Sequence, residues 1–301
     1  MSSNLINTNN MVTKKCLIDK QSLPLLEKVF ISKMKIRQFY RRMNGNVYIS
    51  FSGGLNSTVL KHLVRSIYPN IPAVFSDTGL EYPEIKKFVR TSDNITIIRP
   101  KLSFKQVLDK YGYPVISKEQ ALYIRQYRTT HSEYLKNVRW NGKNGRFKIS
   151  ERWKFLVDAP FKTSEQCCDM LKKKPFKIFR KETGLSPFIG TMAVDSLVRE
   201  RIYLQHGCNS FLEGGESSTP LGFWTEKDNW DYIKQNNIPY CNIYDKGVDH
   251  TGCIFCLFGI HKEKNNRFDI LKGLHPKLYD YCMNDLGIKD VLEYLQLRLN
   301  R

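Results

Sequence analysis

The sequence predicts an α/β fold: a doubly wound, mostly parallel sheet with a helical C-terminal cap. Two observations carry this reading. Short β-rich runs alternate with helical stripes between Val47 and Lys110, and a Ser-Gly-Gly turn joins the first run to its helix. Strands that alternate with helices imply a parallel sheet covered on both faces. The 301 residues suffice for one large domain or two small ones.

The elements follow in order. Residues 1–20 are expected to form a loose tail, since Met1–Asn10 is polar and Asn-rich. Pro24–Arg42 reads as a helix with Leu25, Leu26, Val29, Phe30, Met34 and Ile36 as its apolar stripe and basic residues opposite. Asn44-Gly45 ends it. Val47–Phe51 is a strand. Ser52-Gly53-Gly54-Leu55-Asn56-Ser57 follows, and Thr58–Ile67 is a helix with Val59, Leu60, Leu63 and Val64 on one side. A second unit runs from the strand Ala73–Phe75 through Asp77-Thr78-Gly79 to the helix Tyr82–Arg90. A third pairs the strand Ile95–Ile98 with the helix Ser103–Lys110. Phe188–Gly190 is a later core strand. Thr225–Gln235 is a helix with Thr225 as N-cap. From Arg267 onward the chain is helical. The expected organisation is a main domain over 21–260, with an insertion at 118–154, and a cap over 261–301.

The formal net charge is +19, a field that attracts polyanions. In the stretch Arg125–Lys154, Lys and Arg are interleaved with Tyr127, Tyr134, Trp140, Phe147 and Trp153. Cations that track phosphates and rings that stack on bases make nucleic acid one expected partner. A solvated excursion with core aromatics is the other reading. No apolar run is long enough to span a bilayer, and Met1–Asn10 has no signal-peptide core, so a cytoplasmic protein without a membrane partner is expected.

Cys167-Cys168 and Cys253-Ile254-Phe255-Cys256 are poor disulfide material, because adjacent cysteines rarely bridge and cytosolic thiols stay reduced. Four thiolates gathered by a fold suit zinc or an iron–sulfur cluster, and spacing alone does not choose between them. Cys16, Cys208, Cys241 and Cys282 read mostly as buried inert thiols. In the glycine loop, Gly53 and Gly54 let backbone approach a phosphate, the next helix aims free N–H groups at it, and Ser52 and Ser57 add hydroxyls. The loop lacks a Walker A ending.

Ser52–Ser57 resembles the Ser-Gly-Gly-x-Asp-Ser loop of the PP-loop adenine nucleotide α-hydrolase superfamily. Asp77-Thr78-Gly79-Leu80-Glu81-Tyr82-Pro83-Glu84 is similar to an element of its phosphoadenosine phosphosulfate (PAPS) reductase branch. So are Thr219-Pro220-Leu221, Trp224, Asp228, Trp230, Tyr232, Pro239-Tyr240, Tyr244-Asp245-Lys246-Gly247 and Gly252-Cys253. The resemblance implies a Rossmann-like sheet of that type. It implies an adenine nucleotide (ATP, PAPS or adenylylsulfate) bound by Ser52, Gly53, Gly54, Asn56, Ser57 and Asp77. It also implies a [4Fe-4S] cluster on Cys167, Cys168, Cys253 and Cys256, with Lys172, Lys173 and Lys174 balancing its charge. Zinc in the same four-cysteine site is the alternative.

Three departures bear on activity. Asn56 stands where the family has Asp, and a neutral amide is a weaker ligand for Mg²⁺, which separates nucleotide binding from ATP cleavage. Met192 takes the place of an Arg in a segment that keeps Asp195, Ser196 and Arg199; Arg199 is a candidate phosphate or sulfate ligand, or a surface ion pair. Family reductases attack sulfur through a Cys in a terminal Glu-Cys-Gly-Leu-His segment, whereas Leu292–Arg301 holds no cysteine. Two classes of function fit. One is an enzyme of sulfonucleotide reduction or ATP-dependent sulfur transfer, working beside the cluster with a redox or sulfur-donor protein. The other is a degenerate nucleotide- or nucleic-acid-binding module with a structural metal.

Overall fold

Six strands form one sheet: β1 (Val47–Ser50), β2 (Ala73–Ser76), β3 (Ile95–Ile98), β4 (Ser186–Ile189), β5 (Asn209–Ser210) and β6 (Ser217–Ser218). Their order is β3-β2-β1-β4-β6-β5. All neighbours run parallel except the short β5–β6 pair. The chain therefore starts in the middle of the sheet, builds outward through β2 and β3, and returns to the other side of β1. This is the doubly wound α/β class, and β1 and β4 flank the point where the order reverses. The register sets Ile49 beside Ala73 and Phe188. β1 and β2 are buried almost throughout, as strands covered on both faces must be.

The computed structural model describes residues 12–249, 251–263 and 266–299. Contacts divide them into two compact units: residues 12–76, 83–98 and 178–249, and residues 77–82, 99–177, 251–263 and 266–299. The sheet belongs to the first. The second is helical, with Lys118–Thr129, Glu133–Asn141, Arg267–Leu274 and Ile288–Leu299 among its elements. The expected 118–154 insertion and the expected C-terminal cap thus lie in one unit, together with the cysteine segments. Among the described residues no helix is long and apolar enough to cross a membrane. Residues 1–11 of the expected tail lie outside the described residues. Lys14–Gln21 differs from that expectation, because it forms a helix whose N-cap Thr13 hydroxyl accepts from the Cys16 N–H.

The helix Leu25–Arg42 forms where the stripe predicts it, but it turns a different face inward. Its buried residues are Lys28, Ser32, Ile36 and Phe39. Leu26, Phe30 and Met34 are 80%, 65% and 50% exposed. The reason is polar. Lys28 Nζ reaches the Asp228 carboxylate at 2.7 Å. Ser32 Oγ donates to the Pro220 carbonyl at 2.8 Å and accepts from the Trp224 indole N–H at 2.9 Å. Trp224 is fully buried, so its N–H needs a partner inside the fold. Ile36 and Phe39 add the apolar part, with Phe39 edge-on to Phe188 of β4 at 5.2 Å. A hydrophobicity count cannot see a face chosen by two buried hydrogen-bonding partners.

Asp228 holds two structures at once. Its carboxylate accepts from the Thr225 N–H at 2.7 Å, closing a capping box on the helix Glu226–Gln235, and it also pairs with Lys28. Asp228→Ala leaves a buried ammonium unpaired and uncaps the helix. We expect about 3–5 kcal/mol of lost stability, seen as a lower urea midpoint. Replacing Lys28 with Met in the same chain should recover part of it, because the stranded charge is then gone.

Candidate functional site: a glycine loop and a cysteine pocket

The loop after β1 is built by sterics. Gly53 sits at φ +73°, and a Cβ there would meet Val89 Cγ2 at 2.9 Å and Ile85 Cγ2 at 3.0 Å. Gly190, just after β4, has no room for a side chain, since its Cβ would lie 2.9 Å from the Asn56 carbonyl. The loop and the end of β4 are therefore pressed backbone to backbone at the reversal point, the place where such sheets bind ligands. Ser57 Oγ donates to the Gly54 carbonyl at 2.9 Å and accepts from the Ser52 N–H at 3.2 Å. Ser52 Oγ lies 3.1 Å from Ser57 Oγ and is the exposed hydroxyl of the pair. The helix Leu55–Arg65 opens at Gly54 without a side-chain cap.

Two side chains from elsewhere in the unit hold this loop. Tyr244 accepts the Leu55 N–H on its hydroxyl oxygen at 2.7 Å, and Trp230 supports it edge-on at 5.8 Å. Asn229, fully buried, donates to Asn56 Oδ1 at 2.9 Å and faces Met192 Sδ at 3.3 Å. Asn56, Asn229 and Met192 thus make a neutral cluster behind the loop. Tyr244 and Trp230 lie in a recognisable motif, but nothing in the sequence marks Asn229.

The other expected ligands are engaged locally. Arg199 pairs with Asp195 within its own helical turn, and Asp195 also accepts from the Met192 N–H at 2.8 Å. Asp77 accepts from the Gly79 N–H at 3.3 Å and faces Arg99 at 3.6 Å.

In the second unit Cys167, Cys168, Cys253 and Cys256 line one pocket with Leu80, Phe104, Pro114, Leu171 and Lys172. Cys167 and Cys168 occupy the turn that leads into a π-helical stretch, Asp169–Lys173. Such a widened turn recurs at functional sites. Cys253 and Cys256 bracket a tight turn, with the Cys256 N–H on the Cys253 carbonyl at 3.2 Å, and the Ile254 N–H bonds the Leu80 carbonyl at 2.9 Å. Arg267 fixes the far side by donating to the Cys256 carbonyl at 3.1 Å and the Phe258 carbonyl at 3.2 Å.

The electrostatics of the pocket single out one thiol of the four, Cys168. Cys167 and Cys168 sulfurs are 4.0 Å apart. The hydrogen bond from Cys167 holds the Cys168 thiol below the ordinary thiol range, with Lys118 and Lys172 assisting, while Cys167 is pushed up. Burial pulls the Lys172 ammonium down, but Cys253, Cys168 and Glu81 outweigh it and raise its pKa. Burial pushes Cys256 up to about 11. Of the three lysines expected to balance a cluster, Lys172 is in place, whereas Lys173 pairs with Asp169 at 2.7 Å. Lys118, at the start of the helix Lys118–Thr129, joins it and was not marked by the sequence. Cys208 and Cys282 are buried, and burial pushes them up to about 11 and about 12.

The donor set can be tested for fit. A single tetrahedral zinc with Zn–S near 2.3 Å needs its sulfurs about 3.8 Å apart. Among the described residues, no three His, Cys, Asp or Glu side chains are grouped to hold one ion. Four thiols lining one apolar pocket with Lys172 beside them are a donor set that fits a thiolate-bound metal, whether zinc or an iron–sulfur cluster.

A model of the phosphoadenosine phosphosulfate reductase domain matches residues 46–143 and 143–257. The chain belongs to this family. It is 24% identical over 269 residues to an uncharacterized protein of Methanocaldococcus jannaschii, an alignment covering 87% of this chain and 51% of that relative. The chain thus spans about half of that relative's length. It is 26% identical over 226 residues to an adenosine 5′-phosphosulfate reductase of Lysinibacillus sphaericus, covering 73% of this chain and 77% of that one. A solved phosphoadenylyl-sulfate reductase from Candida auris, in a phosphate complex, superposes with a TM-score of 0.45 and 16% identity, over 80% of this chain and 96% of its own.

Gly53→Ala tests the loop. The substitution puts a side chain at positive φ and against Val89, so we expect a loss of about 1–3 kcal/mol. Thermal unfolding would report it, and adenine nucleotide titration of the folded fraction should show weakened binding.

Proposed function

We propose that this member of the reductase family is an enzyme that binds an adenine nucleotide at Ser52, Gly53, Gly54, Asn56 and Ser57. We further propose that it carries out sulfur chemistry with a [4Fe-4S] cluster held by Cys167, Cys168, Cys253 and Cys256. The observation that carries the proposal is the meeting of two cysteine pairs, about 85 residues apart in sequence, around one pocket supplied with Lys172 and Lys118. Membership of the family, and a relative named as an adenosine 5′-phosphosulfate reductase, support the nucleotide and the element sulfur. A bound cluster supplies one-electron capacity, tuned by charge and hydrogen bonds at its sulfurs.

The chain's own residues would divide the work as follows. Ser52 and the glycine backbone face the nucleotide phosphates. The Asn56 amide, tied to Asn229, holds the loop without a carboxylate, which favours a sulfonucleotide over a Mg²⁺-dependent cleavage of ATP. Lys118 and Lys172 favour the thiolate at Cys168, and a bound metal would supply the charge that ionises the other three. Arg199, which pairs with Asp195 in its own helical turn and stays half exposed, is a further candidate for the phosphate or sulfate of the nucleotide. Electrons or sulfur arrive from a donor protein. Nucleic acid is the acceptor class to examine, given the basic 125–154 stretch.

Metal analysis after purification without oxygen tests the cluster. Iron and acid-labile sulfide near about four each per chain, lost in Cys253→Ser/Cys256→Ser, are expected. Zinc alone, or no metal under conditions that preserve a control cluster protein, would sink this half. Calorimetric titration with adenylylsulfate, PAPS and ATP tests the other, with a sulfonucleotide expected to bind best and absence of heat from all three counting against the loop.

A further inference from the structure

We infer that the tip of the basic excursion, centred on Tyr134 and Phe147, is a docking surface for single-stranded nucleic acid. Folding sorts the excursion's aromatics into two groups. Tyr123 and Trp153 are only 6% exposed and belong to the core. Tyr127 and Trp140 lie against each other at 5.3 Å, with the Lys154 ammonium over Trp140. Tyr134 and Phe147 are left at the surface, 64% and 52% exposed.

The backbone under Phe147 is unusual and firmly held. Phe147 sits at φ +64°, a region that bulky residues rarely occupy. Arg139 holds it there by donating to the Phe147 carbonyl at 2.8 Å. The Arg139 guanidinium is itself fixed on Gln126 at 2.7 Å and over the Tyr123 ring at 4.3 Å. On the other side Asn144 and Gly145, at φ +52° and +70°, make a two-residue turn closed by paired hydrogen bonds between Lys143 and Arg146. A large apolar ring is thus held at the surface by a local hydrogen-bonded scaffold rather than by a core of its own.

Exposed cations share this segment with the two rings. Lys143 reaches the Tyr134 hydroxyl at 3.3 Å, and Arg146 and Arg152 are exposed. Over residues 118–154 there are ten Lys and Arg residues against Glu119, Glu133 and Glu151. Exposed rings beside unneutralised cations match unpaired bases joined by phosphates. A duplex keeps its base faces stacked and would leave both rings unused. An acidic protein surface would engage the cations and leave the rings in water.

The test measures binding without turnover, so it stands apart from the nucleotide and cluster proposals. The full chain is titrated against fluorescein-labelled single strands of about 12 nucleotides, as RNA and as DNA, and against a duplex of the same sequence. Single strands should bind at least about tenfold tighter than the duplex. Phe147→Gly and Tyr134→Ala should each weaken single-strand binding by about tenfold with the salt dependence unchanged. Glycine is chosen at 147 because it takes φ +64° without strain, so a melting temperature no lower than the parent's is expected alongside the loss. Lys143→Gln with Arg146→Gln should instead flatten the log–log salt slope by about 1.4. Parental affinity in both ring variants, equal affinity for the duplex, or displacement of the strand by polyglutamate at equal charge would each overturn the inference.

Discussion

The parallel pairing of β1 with both β2 and β4 is the constraint on which the loop depends. It reverses the strand order beside β1 and brings the chain after β4 against the chain after β1. Two backbones can meet that closely only where one has no side chain, and Gly190 meets that condition beside Asn56. Gly53 meets a second one, because the helix Pro83–Arg90 packs its Ile85 and Val89 against the same turn. The shape of the glycine loop is therefore a by-product of sheet packing. What the loop binds is decided by what fills its donors, and one of them, the Leu55 N–H, is already held by Tyr244. Ser52 and the other backbone groups of the turn are what the proposed anion site would use.

The cysteine pocket balances two opposed terms. Burial disfavours every thiolate, as the raised Cys253 and Cys256 show. Lys172 and Lys118 oppose it, and the balance falls differently at Cys168 than at its neighbour Cys167. An adjacent pair of thiols cannot both ionise cheaply in an apolar wall, so one donates to the other. A group that took all four sulfurs as thiolates would have to supply positive charge of its own, which is what metal centres do. The two ammoniums reduce that demand without meeting it.

Much of this was legible in the sequence. Alternating strand and helix patterns located β1 to β4 within a residue or two, and the Gly-Gly turn and the paired cysteines marked a loop in one unit and a pocket in the other. The helix Leu25–Arg42 shows where legibility ends. Its apolar stripe at Leu26, Phe30 and Met34 faces outward because Lys28 and Ser32 have partners some 190 to 200 residues away. Periodicity reports which residues dislike water and is silent on buried polar pairs that tertiary contact makes favourable. Asn229 was illegible for the same reason, since an amide on a helix acquires meaning only when Asn56 is brought to it. Arg199 was marked by its motif, whereas its pairing with Asp195, four residues earlier, is set only once the helical turn has formed.

The charge of +19 has the same dual character. Part of it is spent on structure. Arg125 is held by Glu165 at 2.6 Å, Arg65 reaches the Ile71, Asp93 and Asn94 carbonyls, and Arg267 is bound by Glu263 and two carbonyls. These cations fasten loops and have no charge to spare for a partner. Others, such as Lys143, Arg146 and Arg152, sit in water at the surface of the excursion, where repulsion among like charges opposes the compact state. The excursion's aromatics divide in the same way, Tyr123 and Trp153 into the core and Tyr134 and Phe147 outward. Neither the solvated-excursion reading nor the polyanion-binding reading therefore covers the whole stretch. Its inner face is core held by Arg139 and Gln120, and its tip is a charged, ring-bearing surface that this scaffold supports.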